Sequence, residues 1–108
     1  MKKVKIYWTT FALKCLSEIK DYLEQETYSE KIANRYINKL TDRVEMLERF
    51  PGSGRLEELL KNLDQNSRYL TEGSYKIIYQ YRDNKVIVTD VFHVKQNPLK
   101  IIKRNKKK

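Results

Sequence analysis

The sequence predicts an α+β fold, in which an N-terminal strand precedes an antiparallel helical hairpin packed on a mainly antiparallel sheet of three to four strands. Three observations point there. The first half carries two apolar stripes at helical spacing, and after Asn66-Ser67 the texture changes to β-branched and aromatic residues broken by short turns. The third is length: 108 residues, 40% of them apolar, suit one core, since shorter chains lean on disulfides or metals and longer ones split. Cys15 has no disulfide partner, and with His93 it makes too small a set for a zinc site. Packing alone must hold the single domain expected over residues 1–98, ahead of a basic tail at 99–108.

Val4, Ile6 and Trp8 alternate with Lys5 and Tyr7, which predicts a short strand with one buried face. From Phe11 the residues Ala12, Leu16, Ile19 and Leu23 fall on one helical face, opposite Lys14, Glu18, Lys20, Asp21 and Glu24. Thr27 followed by Glu30 has the form of a capping box and predicts a second helix from near Tyr28 or Ser29. Its buried stripe is Ala33, Tyr36, Ile37, Leu40, Val44 and Leu47, ended by Phe50-Pro51-Gly52-Ser53-Gly54. The short connection between the helices makes them antiparallel.

Residues 55–66 mix Leu56, Leu59, Leu60 and Leu63 with charges, as a short helical turn over a sheet edge would. Strands follow at Arg68–Thr71, Tyr75–Tyr81 and Lys85–Val94, joined by tight turns at Glu72-Gly73-Ser74 and Arg82-Asp83-Asn84. Leu99, Ile101 and Ile102 suggest a final short helix. The hairpin should cover one sheet face and leave the other partly exposed, as a concave surface for a partner or substrate. In the last strand His93 has the parity of Ile87, Thr89 and Val91, yet Val86, Val88 and Phe92 are as apolar, and a bulge would exchange inside for outside.

The formal charge is +9, placed mostly at the ends: +3 over residues 1–8 and +6 over 100–108, against −1 over 9–50 and +1 over 51–99. The tail is a solvated terminus that would be drawn to polyanions in a salt-dependent way. No run approaches the roughly 18–20 apolar residues of a membrane span, and Met-Lys-Lys-Val-Lys-Ile-Tyr-Trp lacks the apolar region of a signal peptide. A cytoplasmic protein without membrane contact is expected.

There is no Gly-rich phosphate loop, no Cys/His cluster and no nucleophile elbow, so no cofactor or metal is expected. Acid–base chemistry, phosphate contact and pure binding remain. His93 is of the one side-chain type whose unperturbed pKa lies near neutrality, and Lys95 two positions on would join it at a phosphate; the structural alternative is a histidine that hydrogen-bonds the end of a neighbouring strand. Arg55, Glu57, Arg68 and Lys76 add the inventory for cutting RNA, with Glu57 and His93 as proton-transfer groups and Arg68 and Lys76 as phosphate holders. Tyr69 and Tyr75 are open to base stacking or to packing, while Tyr79 reads as core.

The succession Phe50-Pro51-Gly52-Ser53-Gly54-Arg55, Glu57, Leu59, Arg68-Tyr69-Leu70, Tyr75-Lys76-Ile77-Ile78-Tyr79 and Val91-Phe92-His93-Val94-Lys95-Gln96-Asn97-Pro98 resembles the RelE/ParE superfamily of type II toxin–antitoxin toxins, over about residues 4–98. The resemblance implies the RelE/ParE toxin fold, an antitoxin partner, growth arrest when that partner is lost, and a plasmid-stabilisation type of system. RelE-like and YoeB-like members cut mRNA on the ribosome, whereas ParE-like members block DNA gyrase and are not nucleases.

Against the YoeB-like pattern, Glu57, Lys76 and His93 match the catalytic positions, which makes them the catalytic set only if the chain is a nuclease. Val94 replaces the tyrosine expected beside the histidine, and Lys76 replaces an arginine, losing the planar fork that grips phosphate. The RelE-like basic density around the central strands is missing. The long hairpin, the Pro-Gly-x-Gly-Arg turn and His93 with Lys95 look most like ParE-type proteins.

The expectation is therefore a toxin neutralised by a cognate antitoxin peptide segment and acting on DNA gyrase. The alternatives are an endonuclease acting on mRNA at the translating ribosome, and a non-toxic antitoxin-binding module. Arg55, Arg68, Lys95 and Tyr75 are the expected phosphate or substrate contacts. An acidic, amphipathic partner segment is expected to wrap the open sheet face and the hairpin.

Overall fold

The structure, a computed structural model, describes residues 3–57 and 67–95. Strand β1 (Lys5–Trp8) leads into helix α1 (Thr10–Thr27), then α2 (Glu30–Glu45), which ends in a 3₁₀ turn at Met46–Glu48. The strands β2 (Arg55–Leu56), β3 (Ser67–Glu72), β4 (Tyr75–Arg82) and β5 (Lys85–His93) complete it. The sheet runs in the order β1-β5-β4-β3-β2, antiparallel except for β1, which pairs parallel to β5.

Thr9 caps α1 by accepting the Ala12 N–H at 3.0 Å. The second cap differs from the one expected: Ser29, not Thr27, accepts the Ile32 N–H at 3.1 Å. Thr27 is the last residue of α1, and its hydroxyl donates to Leu23 O at 2.7 Å. Between them Tyr28 takes a left-handed conformation (φ 54°) that reverses the chain.

The core is one cluster. Ala12, Cys15 and Leu16 of α1 and Leu40, Val44 and Leu47 of the second helical segment pack on Leu70, Ile77, Tyr79, Val86, Val88 and Val91 of the sheet. Fully burying a Leu, Ile or Val contributes about 1.5–3 kcal/mol, which is why these stripes dictate the layer arrangement. Tyr36, expected in the α2 stripe, is exposed instead. It lies at the margin of the apolar arc, where a phenol reaches water without leaving the helix face.

A bulge settles the strand faces. Tyr79 pairs with Val88 but Ile78 pairs with Asp90, so Thr89 is an extra residue on β5. Val86 and Val88 before the bulge and Val91 after it all enter the same core despite their opposite parity. On the face turned away from the helices, expected to be partly exposed, Ile78 and Phe92 are buried.

Among the described residues five strands replace the expected three to four: β1 joins the sheet, and Arg55–Leu56 form a strand where a helical turn was expected. The remainder of that expected turn, the expected helix at Leu99, Ile101 and Ile102, and the basic tail lie outside the described residues. No helix of the described residues is long and apolar enough to cross a membrane.

Candidate functional site

The turn after the helices is built around one phenol. The buried Tyr79 hydroxyl donates to Pro51 O at 2.8 Å and accepts the Gly54 N–H at 2.9 Å. Gly54 is required there, because a Cβ would lie 2.6 Å from the Tyr79 hydroxyl and 2.8 Å from Tyr69 O. Burial pushes the Tyr79 phenol up, opposed by its Gly54 hydrogen bond and by the Arg68 and Arg43 guanidiniums. Arg68 Nη1 donates to Gly54 O at 2.8 Å and to Gly52 O at 3.4 Å. The turn thus delivers Arg55 and Glu57 to the sheet.

Glu57 and Lys76 meet. Glu57 follows β2, its N–H donating to Ser67 O at 2.7 Å, and its buried carboxylate lies 2.8 Å from Lys76 Nζ. The same ammonium stands 4.0 Å from the centroid of the Tyr69 ring. The ring face and the carboxylate together hold the ammonium in place. This group occupies the face of the sheet away from the helices.

His93 sits on the opposite face. It pairs across the sheet with Tyr75, and the two rings make an edge contact with centroids 5.4 Å apart. Lys76, next to Tyr75 in β4, therefore points away from His93. His93 Nδ1 accepts the Lys95 N–H at 3.1 Å, tying down the turn that ends its own strand, β5. Tyr75, His93 and Lys95 line a groove of about 640 Å³ with Cys15, Ile19 and Tyr22 of α1. Burial raises the Tyr75 phenol, with Tyr22 and Tyr36 adding to the effect. Cys15 Sγ lies 3.6 Å from Asp90 Oδ1, beneath this groove.

The seven candidate residues thus separate into groups. Glu57 and Lys76 are brought together, Tyr75, His93 and Lys95 form a second set on the other face, Arg68 is engaged by the turn, and Arg55 is exposed beside Tyr69. The sequence reading placed Ile19 only in the core stripe of α1 and gave Tyr22 and Arg43 no role, because helix-to-sheet packing and no local motif brings them to these clefts. Among the described residues no three His, Cys, Asp or Glu side chains gather as metal ligands would.

Comparison with known proteins adds a family. The model of the ParE toxin of the type II toxin–antitoxin system parDE matches residues 6–98. No curated protein matches the chain. Among solved structures, a chromosomal ParDE TA system from P. aeruginosa superposes with a TM-score of 0.70 at 17% identity, covering 84% of this chain and 96% of that one. At that identity the likeness speaks for the fold alone, and the fold is the expected one.

Proposed function

The chain belongs to the ParE toxin family of type II toxin–antitoxin systems, and from that membership we propose that it acts by binding, with DNA gyrase as its target and a cognate antitoxin segment as its neutraliser. Cutting RNA needs a base, an acid and a phosphate-holding cation directed at one phosphodiester. The observation that supports binding is the division of the nuclease-like set: Glu57 and Lys76 pair with each other on one face, while His93 stands with Tyr75 on the other. Lys76 is already held by a buried carboxylate and an aromatic ring, and it offers no planar fork. The work of the protein lies in the cytoplasm on this reading.

The test is negative supercoiling of relaxed plasmid by gyrase in the presence of the purified chain. Inhibition with accumulation of cleaved complexes is expected, along with growth arrest that persists in His93→Ala and Glu57→Gln. Absence of any effect on gyrase removes the reading. New 5′ ends within coding regions after induction, lost in both variants, would establish the ribosome-dependent endonuclease instead. Neither growth arrest nor inhibition would leave the non-toxic antitoxin-binding module.

A further inference from the structure

A second polar cleft, of about 370 Å³, opens where the Pro51–Gly54 turn meets the outer edge of β3. Arg43 of α2 and Arg55 of β2 line it, with Ser53, Gly54 and the β3 segment from Tyr69 to Thr71. Arg43 uses Nε on Thr71 O at 3.4 Å and Nη1 on Met46 Sδ at 3.5 Å, which are weak partners for a guanidinium. Arg68 stands behind the turn, on the Gly52 and Gly54 carbonyls. Among the described residues, no carboxylate lies within 4 Å of any of these three arginines. Elsewhere the chain does pair its charges closely, as Lys76 with Glu57 at 2.8 Å demonstrates.

The surroundings indicate what kind of anion fits. Met46, Phe50 and Leu56, on the segment that carries the turn, are 49%, 56% and 56% exposed. Apolar and aromatic side chains interleaved with arginine are the composition of a protein interface, whereas a phosphodiester track would be basic and hydrogen-bonding throughout. Among the described residues β2 pairs only with Tyr69 and Arg68 and stops short of Leu70–Glu72, so no strand lies beside that stretch of the β3 edge, where Arg43 reaches Thr71 O.

We propose that this cleft is a docking site for an acidic segment of a protein partner, the antitoxin, which seats one carboxylate between Arg43 and Arg55 and lays apolar residues on Met46, Phe50 and Leu56. The inference rests on the antitoxin reading above and adds a location and a recognition chemistry to it. A guanidinium fork takes a carboxylate bidentately, and truncating one partner of such a pair leaves the other charge desolvated and alone.

The experiment is a titration of the full chain with cognate antitoxin by calorimetry, using Arg55→Gln and Arg43→Gln. The exposed Arg55 side chain makes none of the side-chain hydrogen bonds or ion pairs of the described residues, so its variant keeps the fold; thermal melts check Arg43→Gln. Each variant should weaken antitoxin binding about tenfold or more. Neutralising a single antitoxin Asp or Glu should give the same loss, with no further loss when combined with Arg55→Gln.

Gyrase inhibition by Arg43→Gln alone should match the wild type. Antitoxin affinity within twofold of wild type in both variants overturns the proposal. So does a loss confined to binding of a 20-base-pair DNA duplex, which would assign the cleft to phosphodiesters. A wild-type chain that binds antitoxin through this cleft yet leaves gyrase untouched refutes the gyrase target and spares the cleft. A chain that no antitoxin binds refutes both.

Discussion

Tyr79 shows how one side chain converts a motif into geometry. The Pro-Gly-x-Gly-Arg sequence reads as a helix stop, but the phenol that fastens it comes from β4, 25 positions beyond Gly54. Gly54→Ala should cost about 3 kcal/mol, at the top of the range for overpacking, since its nearest neighbours are a buried ring and a backbone carbonyl; urea unfolding measures it. Tyr79→Phe keeps the ring and removes both hydrogen bonds, for an expected loss of about 1–3 kcal/mol.

Folding raises both Tyr75 and Tyr79 above their ordinary value near 10. The folded state then holds protons that the unfolded state releases, so the stability they contribute is full below pH about 10 and is lost as pH climbs through the folded values. Melting temperatures from pH 8 upward should fall beyond pH about 10, and more gently in Tyr79→Phe. Glu57, Lys76 and His93 were legible in the sequence as residue types. Their assignment to two faces was not, because it depends on an inserted residue at Thr89 that no spacing announces.

At the scale of elements, both helices and all three hairpin strands could be read from periodicity, since each buries a face against the same core. The misses have local causes. Two hydroxyl residues, Thr27 and Ser29, stand close together, and the one with glutamate three residues on is not the cap. Two residues of strand, Arg55–Leu56, are too short for alternation to register. The reversal at Tyr28 gives a direct test. It holds a bulky residue at φ 54° with 95% of its surface exposed, so Tyr28→Gly should raise stability by about 1 kcal/mol through relief of that conformation. A lower urea midpoint in that variant would contradict the backbone assigned to the junction.

For the whole molecule, sequence reasoning found the layers but not the placement of β1. A short N-terminal strand could have joined either edge, and only the pairing Ile6↔Val86 and Trp8↔Val88 puts it beside β5. That pairing seals the flank of the sheet, with Val4 N–H donating to Glu48 O and Thr9 N–H to Val88 O, both at 3.0 Å. Removing residues 1–8 should strip β5 of its neighbour, expose an apolar edge and abolish cooperative unfolding, with oligomers visible by light scattering.

The first strand made is thus answered only by the last of the described strands. A nascent polypeptide must carry residues 5–8 without their sheet neighbour until residues 85–88 have been made.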